Sequence, residues 1–279
     1  MKDHLKEIVA AKDGQLLRVC TAREYLQARM LQSLQAQGAF RTWAFVGGTC
    51  LRFLHAIPRF SEDLDFSLHG MEQPLDFRAA LARVKADFEA EAYAIRINLK
   101  SDKTVAAAFL RFPGLLYDLG LSPHRAQVFS LKVELDTKPP AGAEVETTIV
   151  RRHVTLNLLH YDKASLLAGK LHALLTRRYT KGRDLYDLIW YLADRSWPAP
   201  NLDLLTAALS QTHWEGPAPT ETNWRSLLAE RLSRVDWDSA RDDVRPFLER
   251  AAETELITRE TVLSVLKPPG PSHDLSLGR

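Results

Sequence analysis

The chain has 279 residues, enough for one large domain or two modest ones with their own apolar cores. Its 37 lysines and arginines nearly balance 35 aspartates and glutamates, which excludes a general attraction to nucleic acid and restricts any basic site to a local patch. Cys20 and Cys50 are typical of free thiols in a reducing compartment, and without a signal peptide or a span of roughly 18 apolar residues we expect a cytoplasmic protein with no membrane segment.

The first predicted elements are a packing helix and a strand that ends at a glycine pair. Residues 3–37 carry apolar side chains at near-helical spacing. The apolar run at 43–46 predicts a strand, and Gly47 and Gly48 predict a tight turn into a short helix. Two glycines there allow close approach of a ligand, and the free N–H groups of the helix favour an anion such as a phosphate. Taken alone, such a pair indicates only a turn.

The next segment carries an Asp-x-Asp motif. Polar and apolar residues alternate from Asp63 to Leu68, so Asp63 and Asp65 project from one face of a predicted strand. Two neighbouring carboxylates repel each other without a cation, and oxygen ligands suit Mg²⁺ or Mn²⁺. Such a metal bridges triphosphate oxygens in nucleotidyl and phosphoryl transfer. A solvated strand face is the alternative, and the upstream Gly-Gly-Thr sequence favours the metal.

The rest of the chain changes from a strand pattern to a helical one. After an amphipathic helix at 74–92, alternation predicts a twisted sheet from strands at 94–99, 105–112, 128–136 and 150–158. Helices are predicted at 163–179, 183–193, 201–210, 221–233, 238–252 and 257–266. We therefore expect an α/β (α+β) fold with a mixed twisted sheet in a lobe at 1–160, a helical lobe at 161–267 and a disordered tail at 268–279.

Four short motifs give the chain a family resemblance. They are Gly47-Gly48-Thr49, Arg59-Phe60-Ser61-x-Asp63-Leu64-Asp65-Phe66, Lys170-Leu171-x-Ala173-Leu174-x-x-Arg177 and Arg183-Asp184-x-x-Asp187-Leu188. Together they resemble the AbiEii/AbiGii (MenT-like) toxins of the DNA polymerase β-type nucleotidyltransferase superfamily. The resemblance covers roughly residues 43–68 and 160–190, and it implies a polymerase β-like lobe that binds a nucleoside triphosphate with Mg²⁺ or Mn²⁺.

The resemblance also implies roles for individual residues. Asp63 and Asp65 would bind the metal, Lys170 would act on the nucleotide, and Asp184 would orient Lys170 or contact substrate. The nucleotide would be held by Gly47, Gly48, Thr49, Arg59 and Lys170. A helix cap remains the alternative for Asp184. Asp187 is open to a structural reading, in which it pairs with Arg183 or Arg177.

Enzymes of this superfamily use a third carboxylate on a later strand, to bind metal or to accept a proton. Lys132, Glu134 and Asp136 share one predicted strand face. Glu134 is the better candidate, as a catalytic and metal-binding acid, because apolar neighbours hold it in mid-strand while Asp136 borders a loop. The alternative is a charged outer face on which Lys132 pairs with these acids.

A basic segment joins the two helical motifs and predicts an RNA-binding patch. It contains Arg177, Arg178, Lys181 and Arg183, with Tyr179 able to stack on a base. Residues 151–153, Arg-Arg-His, would extend the patch, and a solvated turn is the alternative. Ser61 precedes Asp63 by two residues, so phosphorylation there by an antitoxin kinase would place negative charge beside the carboxylates and block the site. The alternative is that Ser61 simply caps a helix or strand.

Together with these features, the resemblance implies a nucleotidyltransferase toxin of a toxin–antitoxin system. It would transfer a nucleotide to RNA, by resemblance the 3′ end of tRNA, and a cognate antitoxin would be its partner. The alternatives are protein nucleotidylation, a GTP-binding role without transfer, and a non-catalytic module that binds nucleotide or RNA. A glycosyltransferase would also use Asp-x-Asp, but it has no need of the glycine pair upstream or the lysine downstream.

Overall fold

A mixed sheet of seven strands lies at the centre of the computed structural model, which describes residues 2–70, 72–101 and 104–267. Its spatial order is β3-β4-β5-β2-β1-β7-β6, and the pairs β2–β5 and β1–β7 are parallel while the others are antiparallel. The strands are β1 Trp43–Val46, β2 Leu64–Leu68, β3 Arg96–Ser101, β4 Val105–Pro113, β5 Val128–Asp136, β6 Val145–Arg152 and β7 Val154–Tyr161. The predicted α/β class with a mixed sheet is confirmed.

Helices precede the sheet, connect its strands at three places (β1 to β2, β2 to β3 and β4 to β5), and make up most of the described chain after β7. They are α1 Lys2–Ala10, α2 Gln15–Ala36, α3 Gly47–His55, α4 Phe77–Ala90, α5 Leu115–Asp118, α6 Lys163–Thr176, α7 Gly182–Ala193, α8 Leu202–Gln211, α9 Trp224–Leu232, α10 Trp237–Val244 and α11 Arg259–Leu266. Short 3₁₀ turns lie at Ala39–Arg41, Arg245–Phe247 and Ala251–Leu256. The tail predicted at 268–279 lies outside the described residues.

The apolar core runs without a break from the sheet into the C-terminal helices. Trp43, Phe45 and Phe66 stack on the central strands, with ring centroids 5.4 to 5.7 Å apart. Leu171 of α6 and Leu188 of α7 belong to the same buried cluster. Burial of these large side chains fixes α6 and α7 against the sheet, and the change from strands to helices near residue 161 involves no change of core.

Three predicted elements differ from those observed, each for a local reason. The segment predicted as one strand at 150–158 is the hairpin β6–β7, which turns at His153 with φ +60°. The N-terminal helix is divided into α1 and α2 before Gly14, whose φ is +83°. The helix predicted at 238–252 ends at Val244, because Pro246 has no N–H to continue it.

Two features of this fold position the candidate site. The helix α3 begins directly at the end of β1, and β2 lies between β1 and β5. The N-terminus of α3 lies beside Asp65 of β2, and β2 pairs in turn with β5. In the described part of the chain, no helix combines the length and apolar character that crossing a lipid bilayer requires.

Candidate active site

The glycine turn brings the backbone of α3 into contact with the second aspartate of the Asp-x-Asp motif. Gly47 has φ +78°, and a Cβ there would lie 2.5 Å from Oδ2 of Asp65. A Cβ on Gly48 would lie 2.7 Å from Arg59 Nη2 and 2.8 Å from Ser61 Oγ. Glycine is thus required at 47 for both its conformation and its lack of a side chain. No side chain caps the first turn of α3, which leaves its N–H groups available to an anion.

Thr49 connects α3 to the Asp-x-Asp motif through a hydrogen bond. Its hydroxyl donates to the backbone carbonyl of Asp63, and its side chain is fully buried. The predicted nucleotide contact of Thr49 is therefore restricted to its backbone, while its side chain holds the start of β2 against α3. Ser61, the predicted phosphorylation site, is half-buried, and its backbone carbonyl accepts a hydrogen bond from Gln27.

Two of the three predicted acids lie on adjacent strands, Asp65 on β2 and Glu134 on β5, and Asp63 directly precedes β2. Asp65 pairs in parallel register with Glu134, and Ser67 pairs with Asp136, so the sheet places Glu134 beside Asp65 and Asp136 one step further along. Burial raises the pKa of Asp65 to about 7, and the nearby charges of Asp63 and Glu134 raise it further. Burial also raises the pKa of Asp63. In the described residues neither aspartate accepts a side-chain hydrogen bond, so both carboxylates remain available to a cation.

The third acid of this group is already paired. Lys132 Nζ lies 2.6 Å from Glu134 Oε2, as the alternative interpretation of this strand face anticipated. Asp136 accepts a hydrogen bond of 2.9 Å from the backbone N–H of Lys138, and burial raises its pKa. Within the described ranges no three His, Cys, Asp or Glu side chains converge closely enough to hold a metal ion by themselves. A cation here would find two protein carboxylates and take its other ligands from water or substrate.

Lys170 and Asp184, the two residues predicted from the helical motifs, are in contact. Lys170 Nζ lies 3.1 Å from Asp184 Oδ1 and 2.7 Å from Asp187 Oδ2. Burial by itself would lower the pKa of Lys170, but the carboxylates of Asp187 and Asp184 outweigh that effect and raise it. The lysine is therefore held as a cation in a site that excludes most water. Asp184 is buried within the first turn of α7 and is not its cap.

Arg59 occupies the centre of the protein and has no surface to offer a nucleotide. Its side chain is 1% exposed, and Nε and Nη2 each donate a 2.5 Å hydrogen bond to the carboxylate of Asp187, which is 0% exposed. The structure therefore corrects two expectations. Arg59 lies behind the glycine turn, where it supports Asp187 and Gly48, and the partners of Asp187 are Arg59 and Lys170 instead of Arg183 or Arg177.

One cavity of about 510 Å³ joins some of these groups, whereas Asp63, Glu134 and Arg59 are not among its lining residues. The sheet side of its wall contains Gly47, Gly48 and Asp65, and the helical side contains Lys170 and Asp184. Its size is within the range of sites for small ligands. Residues from the early motifs and from the helical motifs, more than a hundred positions apart in the chain, thus face the same space.

The predicted RNA patch is partly exposed and partly engaged in ion pairs. Arg177 lines the cavity and pairs with Asp184, while Arg183 Nη1 lies 3.0 Å from Glu62 and its guanidinium covers the ring of Phe247. Arg178 is exposed, Lys181 is half-buried and Tyr179 is 68% exposed. Arg152 and His153, suggested as an extension of the patch, both contact Glu24 at 3.0 Å.

One feature of the site is not predictable from the sequence. The Arg59–Asp187 pair links residues 128 positions apart, and no local spacing indicates it. The Lys132–Glu134 contact, in contrast, has a local signal, because Lys132 stands two residues before Glu134 on the same strand face.

One family model matches most of the chain, and solved structures share its fold. The sequence model of a family described as "Nucleotidyl transferase AbiEii toxin, Type IV TA system" matches residues 29–264. The structure is similar to MenT4, a nucleotidyltransferase toxin from Mycobacterium tuberculosis H37Rv, with a TM-score of 0.58 and 17% identity over 95% of this chain and 89% of MenT4. It is also similar to JHP933 from Helicobacter pylori, with a TM-score of 0.50 and 19% identity over 88% and 91% of the two chains. No curated protein matches the sequence significantly.

Proposed function

Because the chain belongs to the AbiEii nucleotidyl transferase toxin family, we propose that it transfers a nucleotide from a nucleoside triphosphate to an RNA acceptor, the 3′ end of tRNA. The observation that carries this proposal is the shared cavity, in which the uncapped α3 N-terminus, Asp65 and Lys170 face one another. An anion-binding turn, a desolvated carboxylate and a buried cation are the groups that a metal-bound triphosphate needs.

The acids fit a divalent cation delivered together with the nucleotide. Mg²⁺ is usually held by one or two carboxylates, with water and substrate phosphates as its other ligands. Asp63 and Asp65 supply two such carboxylates with no competing hydrogen bond in the described residues. When bound there, Mg²⁺ (or Mn²⁺) would offset the negative charge of the phosphates and polarise the phosphorus that is attacked.

The protein's own groups would then bind and orient the reactants. The N–H groups that follow Gly47 and Gly48 would hold phosphate oxygens. The ammonium of Lys170 has three donors, two of them directed at Asp184 and Asp187, so a third is available to a phosphate oxygen. Its fixed positive charge would stabilise charge on the leaving pyrophosphate. Glu134, beside Asp65, would accept the proton of the attacking hydroxyl.

The acceptor would approach along the segment between α6 and α7. Arg178, Lys181 and Arg183, together with Arg177 at the cavity wall, provide phosphate contacts, and exposed Tyr179 provides a surface for base stacking. Nucleotides added to the 3′ end of tRNA would prevent aminoacylation and stop translation. We place this activity in the cytoplasm, with a cognate antitoxin as the opposing partner.

Ser61 offers the antitoxin a point of control. Its hydroxyl lies 2.8 Å from where a Cβ of Gly48 would stand, directly beside the first turn of α3. A phosphate on Ser61 would add nearly two negative charges where the triphosphate is proposed to bind. Mass spectrometry of the protein coexpressed with its antitoxin tests this directly, and unmodified Ser61 in a fully silenced toxin would contradict it.

Label transfer tests the proposed reaction. Purified protein is incubated with each of the four α-³²P nucleoside triphosphates, Mg²⁺ and total tRNA. We expect label in tRNA with wild type and a loss of about 10² to 10⁴ with Asp65→Asn and Lys170→Gln. Asp203→Asn, an exposed aspartate on α8, is the matched control and should retain full activity. Melting curves confirm that each variant is folded.

The label also distinguishes the alternative functions. Label in protein instead of RNA would indicate protein nucleotidylation. Triphosphates that bind without any transfer would indicate a non-catalytic module, and stabilisation by UDP-sugars but not by triphosphates would indicate a glycosyltransferase. Transfer by wild type that persists in both Asp65→Asn and Lys170→Gln would contradict the proposed site.

A further inference from the structure

Lys132 lies on the same sheet face as the acids of the site. It is two residues before Glu134 on β5, and its ammonium contacts that carboxylate at 2.6 Å. Leu64 pairs with Val133, so the residues before them, Asp63 and Lys132, meet at the same level of the neighbouring strands. Among the charged groups, Lys132 has the largest influence on the pKa of Asp63, which it lowers, and it also lowers the pKa of Asp65. The ammonium of Lys132 thus interacts electrostatically with the carboxylates of Glu134, Asp63 and Asp65.

Two other cations among the described residues act on these acids, and both are already paired. Lys170 is shared by two carboxylates of α7. Arg183, which acts on Asp63, is paired with Glu62. The side chain of Lys132 is 30% exposed and that of Glu134 is 29% exposed, so a metal ion and its water ligands can reach their contact.

We propose that Lys132 is the internal counter-ion of the metal site, holding Glu134 in the absence of metal and competing with the divalent cation for the same carboxylates. This inference rests on the proposed function, since it requires that Asp63 and Asp65 bind the metal. A divalent ion on these aspartates would repel an ammonium on the adjacent strand, because like charges a few ångströms apart in a partly desolvated site interact strongly.

Competition of this kind links metal binding to nucleotide binding. The ammonium makes the site a weak one for metal alone. A triphosphate brings negative charge that accommodates both the metal and the displaced lysine, so the nucleotide strengthens metal binding and the metal strengthens nucleotide binding equally. Lys132 would thereby keep the site free of metal until substrate arrives.

Calorimetric titration with Mn²⁺ alone, without nucleotide or RNA, tests the proposal independently of catalysis. We expect Lys132→Gln to bind Mn²⁺ at least about fivefold more tightly than wild type, the lower end of measured couplings between sites. Lys132→Arg retains the charge and should match wild type. Lys138→Gln removes the same charge from the exposed end of the following turn and should also match wild type. Lys132→Met provides a second neutral variant if Lys132→Gln is unfolded.

The outcomes separate this proposal from the proposed function. If Asp65→Asn weakens Mn²⁺ binding while Lys132→Gln and Lys132→Met leave it unchanged or weaken it, the counter-ion proposal is wrong and the metal site stands. An equal gain in Lys132→Gln and Lys138→Gln would also overturn it, since any surface charge would then act alike. If wild type and Asp65→Asn bind Mn²⁺ identically, the metal site itself fails, and this inference fails with it.

Discussion

Asp187→Asn would remove the carboxylate that joins Arg59 to Lys170 and leave a side chain of almost the same size. Asp187 is 0% exposed, accepts two hydrogen bonds of 2.5 Å from Arg59, and lies 2.7 Å from the ammonium of Lys170. The neutral amide of Asn cannot offset the positive charges of Arg59 and Lys170, and its NH₂ group would face an N–H donor of one of them. The perturbation therefore leaves positive charge without a partner inside the protein.

The size of the destabilisation depends on the contacts that Lys170 and Arg59 retain after the substitution. Breaking a buried ion pair by removing one partner costs about 3–5 kcal/mol. Lys170 keeps Asp184 at 3.1 Å, whereas Arg59 keeps only a 2.9 Å bond to the carbonyl of Phe60. We therefore expect a loss of about 3 kcal/mol in the free energy of unfolding. At about 2 °C per kcal/mol for a chain of this size, Tm should fall by about 6 °C.

Urea unfolding at pH 7.5 measures this loss, with Asp203→Asn on the surface as the control, expected within about 1 kcal/mol of wild type.

The pH dependence of stability provides a second test. Burial would raise the pKa of Asp187, but Arg59 and Lys170 outweigh burial and lower it. A lowered pKa gives stability that is present above the ordinary carboxyl pKa and is lost as pH falls below it. The difference in the free energy of unfolding between wild type and Asp187→Asn should thus shrink below about pH 4. A gap no larger than that of the control at pH 7.5 would refute the reasoning.

Three further predictions follow from the site. Gly47→Ala should lower nucleotide transfer by about 10²-fold, because its Cβ displaces the Asp65 carboxylate. Gly120→Ala, at φ +67° with open space around it, is the control and should cost only backbone strain of about 1–2 kcal/mol. A transfer assay and melting curves compare the two variants, and equal activity would contradict the contact between position 47 and Asp65. In metal-free protein Asp65→Asn should raise the free energy of unfolding by up to about 4 kcal/mol at pH 8 and by little near pH 4. The reason is that the pKa of Asp65 is raised to about 7, so ionisation of this carboxyl between those pH values destabilises the folded state. Urea unfolding at both pH values tests this prediction. Replacing Arg178 and Lys181 with glutamine should reduce the slope of log affinity for tRNA against log salt by about 1.5 without altering nucleotide affinity, and an unchanged slope would exclude the patch.

Local patterns were sufficient to predict the elements that carry the site. The apolar run before Gly47 and the alternation through Asp65 are set by residues within a few positions of each other, and β1, α3 and β2 occur where these patterns predict them. The mixed α/β fold followed from the succession of such segments. The roles assigned to the acids and to Lys170 stay predictions, although the cavity shared by Asp65, Lys170 and Asp184 supports them.

What the sequence could not provide was the pairing of distant elements. Nothing near Arg59 indicates that it passes beneath the glycine turn to reach Asp187 on α7, because that contact depends on how the helices pack on the sheet. Similarly, the parallel pairing of β2 with β5, which sets Glu134 beside Asp65, is a property of topology. Both strands have the same alternation whatever their neighbours.

A crystal structure of the protein with Mn²⁺ and a non-hydrolysable nucleoside triphosphate tests the central claim most directly, because the anomalous signal of manganese locates the metal. The account predicts manganese within about 2.5 Å of an Asp65 oxygen, phosphates against the N–H groups after Gly47, and Lys170 in contact with a phosphate oxygen. Manganese away from both aspartates, or a nucleotide bound outside the cavity that joins Asp65 and Lys170, would contradict it.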